Sequence, residues 1–259
     1  MKKIYSLILA IGTAAAGFAS AGGRAPLLSQ ADKPVRNITF LTSDVDLYCS
    51  FFILEAIPTL KIVGGDSART LFSDGDIVYF KGSERDVPAE GQVMTVLELG
   101  PKVAVAGRKT SLGPLAFQRG RVRVLRIENG LGTGRVEKAC GSLMTGQFLV
   151  PFLEKKSVTV KDTGLDERPW TGGALSGRVI FLEDSAVQIA TGQRALIDVG
   201  LEDGLELGKQ MTVFVQGDKD QPYEPSANVV VIDLGKATAT VKVLRAKAPI
   251  RAGDLVQVK

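Results

Sequence analysis

Short runs of alternating or β-branched residues, broken by glycine, aspartate, asparagine and proline, make up most of this chain. Val122, Val124 and Arg126 alternate with Arg123, Leu125 and Ile127. Val229-Val230-Val231-Ile232 and Ala239-Thr240-Val241-Lys242-Val243-Leu244 are rich in side chains that suit a pleated surface. A period of two places successive side chains on opposite faces, so these runs predict strands. Asn129-Gly130 and Leu234-Gly235-Lys236 stand between such runs at corresponding places. Asn-Gly tolerates positive φ at both turn positions, which predicts an antiparallel hairpin in each region. Helix should be scarce, confined to a short turn after Gly82 and after Gly200.

The correspondence between regions extends along most of the chain, as internal repeats do. Asp66-Ser67-Ala68 recurs as Asp184-Ser185-Ala186, and Asp76-Ile77-Val78-Tyr79-Phe80-Lys81-Gly82 faces Arg194-Ala195-Leu196-Ile197-Asp198-Val199-Gly200, both at an offset of 118. An acidic loop follows each glycine, Ser83-Glu84-Arg85-Asp86 and Leu201-Glu202-Asp203-Gly204. Gly91-Gln92-Val93-Met94-Thr95-Val96 then matches Gly208-Lys209-Gln210-Met211-Thr212-Val213 at 117, and residues 121–127 and 135–150 match 228–234 and 242–257 at 107. The last drop leaves about ten extra residues in the first copy, and residues 107–118 are the natural place for them. Loop insertions cost little closure entropy and often carry function; ordinary drift between duplicates is the plainer account.

Roughly five or six short strands in some 80 residues cannot cover both faces of an open sheet, which favours closure. The expected fold is all-β: two tandem small antiparallel β-barrel or sandwich domains, about the size of an SH3 or OB domain, from an internal duplication. The domains fall at residues 49–152 and 175–259, with an N-terminal arm at 22–48 and a linker at 153–174. Asn37-Ile38-Thr39-Phe40-Leu41 reads as an additional strand. The linker holds the only tryptophan, Trp170, which either packs between the domains or offers a contact surface.

The N-terminus has a different pattern. Met1-Lys2-Lys3 is basic, residues 5–18 are mostly apolar, and Ala19-Ser20-Ala21 is small. This is the layout of a secretory signal peptide cut after Ala21, since the apolar run is shorter than the roughly 20 residues that span a bilayer. A membrane anchor is the alternative. Cleavage would place the protein in the periplasm or outside the cell, with no membrane span. Removing Lys2 and Lys3 lowers the formal net charge from +4 to +2, too near zero to argue for nucleic acid. The 45% hydrophobic content suffices for a core, against a reading of disorder.

Two cysteines in an exported chain are expected to pair, and a Cys49–Cys140 bridge would close a long loop worth roughly 4–5 kcal/mol on the chain-entropy account. The chain has no histidine, which removes Ser-His-Asp and Cys-His machinery and His-ligated zinc. The remaining acidic candidates, Glu84 with Asp86 and Glu202 with Asp203 and Glu206, suit solvated turns better than paired catalytic carboxylates. Asp44 and Asp46 lack the ordered spacing of a calcium loop, and Gly130-Leu131-Gly132-Thr133-Gly134 joins strands instead of opening a phosphate-binding helix. No catalytic residue, metal or cofactor is expected.

Val199-Gly200-Leu201-Glu202-Asp203-Gly204-Leu205-Glu206-Leu207-Gly208, then Met211-Thr212-Val213-Phe214 and Ile250-Arg251-Ala252-Gly253-Asp254-Leu255-Val256, resembles a β module of bacterial envelope proteins. It is similar to the C-terminal domain of the flagellar assembly protein T family and to the region that follows LysM domains in exported proteins. Tyr48-Cys49-Ser50 and Ala139-Cys140-Gly141 resemble exported proteins in which the module is doubled. The resemblance covers residues 49–259 and implies an envelope role without catalysis. Residues 22–49 hold no LysM-like segment, so peptidoglycan binding by that route is not implied. Two functions follow as expectations: a structural or assembly factor that binds an envelope protein, or a module for peptidoglycan or polysaccharide. Residues 107–118 with Arg108, Lys109 and Phe117, together with Trp170, are the candidate contact surface.

Overall fold

The computed structural model describes residues 39–66, 69–83, 86–103, 112–173, 175–217 and 220–259. The chain divides into Met1–Val35 and Arg36–Lys259, and every described residue lies in the second unit. It opens with β1 (Thr39–Leu41), helix α1 (Asp44–Tyr48) and β2 (Phe51–Ile53). Ser43 caps the helix: its hydroxyl accepts from the Asp46 N–H at 3.3 Å, and the Asp46 carboxylate accepts from the Ser43 N–H at 3.0 Å. Satisfying two orphan donors in this way holds a helix of only five residues.

There follow β3 (Lys61–Gly65), β4 (Leu71–Phe72), β5 (Ile77–Lys81), β6 (Val93–Val103), β7 (Gly113–Glu128), β8 (Leu131–Ala139), β9 (Leu143–Met144) and β10 (Phe148–Pro151). The antiparallel order β3-β5-β8-β7-β6-β10 returns to β3, so the sheet closes on itself. β8 pairs with the C-terminal half of β7, and β2 pairs with its N-terminal half. After β11 (Thr159–Lys161) come β12 (Ser176–Leu182), β13 (Arg194–Ile197), β14 (Gln210–Gln216), β15 (Tyr223–Leu234), β16 (Ala239–Ala246) and β17 (Leu255–Val258). These last six form a closed barrel in the order β12-β13-β16-β15-β14-β17. The fold is all-β, and the two rings share one strand order.

The equivalence reaches single hydrogen bonds. The Gly75 N–H donates to Val136 O at 2.8 Å and the Val136 N–H to Asp76 O at 2.9 Å; Gly192, Val243 and Gln193 repeat the pattern at 2.8 and 2.9 Å. These pairs set β5 against β13 at an offset of 117, one residue from the 118 of the sequence alignment. The reason is the two-residue period of a strand. At 117 the inward Val78 and Phe80 fall on the inward Ala195 and Ile197, whereas a slip of one would turn each side chain to the opposite face. Packing compensates at the same place. Phe80 of β5 is the register partner of Gly132 on the neighbouring β8, where a Cβ would overlap the ring; Ile197 is the partner of Ala239 in the second barrel. The large residue shrinks where the small one grows, conserving core volume.

The extra residues of the first barrel lengthen a hairpin. β6 and β7 have 11 and 16 residues against 7 and 12 in β14 and β15. The added length carries Val103 and Leu115 onto the second barrel, where they form one buried cluster with Phe51 and Leu196, backed by Ile53, Phe117, Ile180 and Phe181. The Phe51 ring meets Phe181 edge-on at 5.3 Å, and Phe117 meets Phe181 at 5.9 Å. Helix α1 fastens the same seam. The Asp46 carboxylate pairs with Lys242, and Val45 O accepts from the Arg194 guanidinium at 2.8 Å while Arg194 also pairs with Glu183. Burial opposes the charge on Asp46, but Lys242 and the Ser43 hydrogen bonds outweigh it and hold its carboxyl below the usual range.

Residues 153–173 form a strap along the second barrel more than a free linker. β11 pairs with β1, and Val158, Val160 and Phe40 cover Val230 and Ile232. Asp162, 4% exposed, accepts from Asn228 Nδ2 at 2.6 Å, the Gly164 N–H at 2.9 Å and Arg245 Nη2 at 3.2 Å. Trp170 lies 5.5 Å from Phe214 and 6.3 Å from Tyr223, between ring centroids, so it packs on the second barrel and not between the two domains. A polar strap can do this because its charges find partners on the barrel's outer face.

Candidate functional site: a cleft along the seam

The seam leaves an open cleft of about 250 Å³ between the two barrels. β2 supplies Phe52 and Ile53, β6 supplies Thr95 and Leu97, β10 supplies Val150 and Pro151, the strap supplies Leu153 and Lys155, and the second barrel supplies Leu196, Leu234 and Thr240. Alternation explains the placement: residues that point away from each barrel's own core line the space between barrels. Leu153 is 76% exposed at the rim. The charged groups are tied into the wall. Lys155 Nζ donates to Asp233 Oδ2 at 2.6 Å and Gln118 Oε1 at 3.1 Å, and stands 6.0 Å from the centroid of the Phe52 ring. The Thr240 hydroxyl donates to Phe51 O at 2.8 Å.

A second groove, about 500 Å³, runs along the first barrel and shares Val150 and Pro151 with the cleft. It lies where β10 pairs with β3 only at Phe148↔Lys61. Pro58, Pro88 and Pro151 line it, and proline has no N–H to offer a passing strand, so the gap cannot act as a full pairing edge. Ile57 and Val87 stand 59% and 48% exposed at its sides. The cleft and the groove meet at Val150 and Pro151, and mixed apolar and polar walls of this kind suit the side chains of an extended segment.

Cys49 and Cys140 are joined in a disulfide between the end of α1 and the end of β8. Phe117 is drawn into the seam, and Trp170 is spent on Phe214 and Tyr223; neither forms one surface with the other. Arg108, Lys109 and Glu84 lie outside the described residues. The Asp86 carboxylate accepts from the Thr59 hydroxyl. Leu201–Asp203 is a short 3-10 turn in which Asp203 accepts from the Gly200 N–H at 2.9 Å, and Glu206 pairs with Lys209 at 3.5 Å. Asp44 is exposed at the start of α1, apart from the inward Asp46. Among the described residues no three His, Cys, Asp or Glu gather as metal ligands would, and no helix is long and apolar enough to cross a membrane.

Sequence reasoning missed Lys155 with Asp233 and Asp46 with Lys242, pairs that bridge the two halves. Their members are 78 and 196 positions apart, and no spacing rule joins them. No protein-family model matches the chain, and no curated protein matches it.

Proposed function

We propose that this chain is an exported, non-catalytic envelope protein that arose by duplication of one β module and holds a partner protein along its seam. The observation that carries the reading is the cleft at the seam with the groove that adjoins it on the first barrel, flanked by the exposed Leu153, Ile57 and Val87, with Lys155 and Asp233 of the cleft paired to each other. Such a surface gains affinity by desolvating apolar side chains, while Lys155 and Asp233 fix the walls that receive them. The shared strand order and the repeated hydrogen bonds support descent of both barrels from one module. The disulfide is compatible with export, and the resemblance to envelope modules supplies the compartment. Glycan binding is the weaker reading, because Trp170 has its ring engaged on the second barrel.

Photoreactive groups placed at Leu153 and Ile57 of the exported chain test this. Capture of one envelope protein from both positions, and loss of that capture in a Phe52→Asp variant that keeps its fold by circular dichroism, is the expected result. Capture of glycan alone, or sedimentation of the purified protein with isolated sacculi, would overturn it.

A further inference from the structure

We propose that Cys49–Cys140 is an exchange site for a dithiol protein, and that its redox state sets how firmly the two barrels are clasped. Both cysteines are only half-buried, and a pocket of about 40 Å³ opens on them. Its charged walls are Asp44, Arg121 and Lys138, with Tyr48 alongside. Arg121 and Lys138 are direct partners across β7 and β8, an arrangement that costs a sheet stability because like charges face each other. Lys138 is relieved by Asp74 at 3.4 Å. Among the described residues Arg121 has no such relief: its guanidinium carbon stands 5.2 and 5.3 Å from the Tyr48 and Phe152 ring centroids, and its Nε is buried without a hydrogen-bond partner there. Of the two cations only Arg121 is left without an ion pair, and a cation lining a pocket that opens on half-buried sulfur favours a thiolate.

Exchange proceeds by attack of the dithiol's thiolate on one of the two sulfurs. A mixed disulfide forms as the Cys49–Cys140 bond breaks, and the electron pair leaves on the other cysteine as a thiolate beside Arg121 and Lys138. The second thiol of the dithiol then resolves the mixed disulfide. The dithiol is oxidised by two electrons to its own disulfide, and its two protons end on Cys49 and Cys140.

The bond released is the covalent fastening of a clasp. Asp46 and Val45 are held by Lys242 and Arg194 of the second barrel, and Phe51 O by Thr240. On the first barrel the same segment is held by the disulfide and by three strand residues, Phe51–Ile53. Without the disulfide, only noncovalent contacts of Tyr48 and of residues 50–54 with the first barrel resist the pull of the second. The clasp amides are reporters, since the Gln118 N–H donates to Ser50 O at 2.8 Å and the Leu54 N–H to Pro114 O at 2.9 Å.

The test treats the full chain with dithiothreitol in native buffer, traps thiols with a maleimide, and follows Trp170 fluorescence as a reporter of the second barrel. The expected result is that both cysteines label while Trp170 fluorescence holds, and that hydrogen exchange at Gln118 and Leu54 rises at least about tenfold, the signature of local opening. Arg121→Gln, with Lys138→Gln as a second variant, should slow reduction about threefold, a Brønsted sensitivity near one half applied to one pKa unit. Labelling only after the Trp170 signal collapses, clasp amides that do not change on reduction, or wild-type reduction rates in both variants would each overturn the proposal. No cleft partner takes part, so its failure and the failure of the partner-binding reading are separate outcomes.

Discussion

Replacing Phe51 with alanine removes a ring only 3% exposed that meets Phe117 at 6.3 Å and Phe181 at 5.3 Å. Phe51 lies on β2, paired with the first barrel, and Phe181 lies on β12 of the second. Truncating a buried phenylalanine costs about 3–5 kcal/mol, from lost burial and the cavity left behind. About 1 kcal/mol of that belongs to the edge-on pair with Phe181. Trp170 rests on Phe214 and Tyr223, so its fluorescence follows the second barrel, away from the substitution. If the seam makes the barrels one cooperative unit, Trp170 must report the loss. With a urea slope of about 2 kcal/mol per molar, its midpoint should fall by about 1.5–2.5 M. A cycle with Phe181→Ala should return a coupling near 1 kcal/mol. An unmoved Trp170 midpoint would mean that the second barrel unfolds without regard to the seam, and the reasoning from the aromatic cluster would be refuted.

Gly132→Ala should destabilise by about 1–3 kcal/mol, because the new methyl overlaps the Phe80 ring, and Phe80→Ile should recover part of the loss by recreating the Ile197 and Ala239 pairing. Urea midpoints of the single and double variants check this, and additive losses would count against it. Acid should unfold the chain through Asp46 and Asp162. Burial opposes charge on both, yet Lys242 and Ser43 on one, and the Gly164 N–H, Asn228 and Arg245 on the other, hold their carboxyls below the usual range. A folded pKa below the unfolded one gives stability that is complete above the unfolded value near 4 and is lost as pH falls through the folded value. Stability measured from pH 6 down to pH 2 should therefore drop below about pH 4, and less steeply in Asp46→Asn.

Local pattern made much of this legible. The alternation around Val122 to Val124 and the β-branched run at Val229 to Ile232 are strands, and Asn129-Gly130 turns between β7 and β8 with φ of 49° and 76°. Each of these is settled by neighbours in the chain. The register of the repeat was not, because Asp66-Ser67-Ala68 and Gly82 match Asp184-Ser185-Ala186 and Gly200 as letters while inward and outward positions are fixed only by the closed sheet. Helix α1 escaped notice because five residues show no periodicity, and its Ser43 with Asp46 is a capping box in which aspartate takes the usual place of glutamate. The cleft escaped because its walls come from six separate stretches, and Lys155 reads in sequence as one more solvated lysine of a polar linker.

What distinguishes the two barrels says more about the site than what they share. Cys140 and Lys247 hold equivalent places, for the Cys140 N–H donates to Arg119 O at 2.8 Å and the Lys247 N–H to Ser226 O at 2.7 Å. One of them is bonded to the clasp, and the other is not. The longer hairpin also belongs to the first barrel alone, and its added residues meet Phe181 and Leu196. These departures converge on one side of the molecule. Had the copies merely drifted, differences would scatter over loops at both ends, since surface loops tolerate change almost anywhere. The disulfide-tied clasp, the extended hairpin and the pairs of Asp46 with Lys242 and Lys155 with Asp233 all engage the second barrel from its junction with the first, as the proposed binding role of that junction requires.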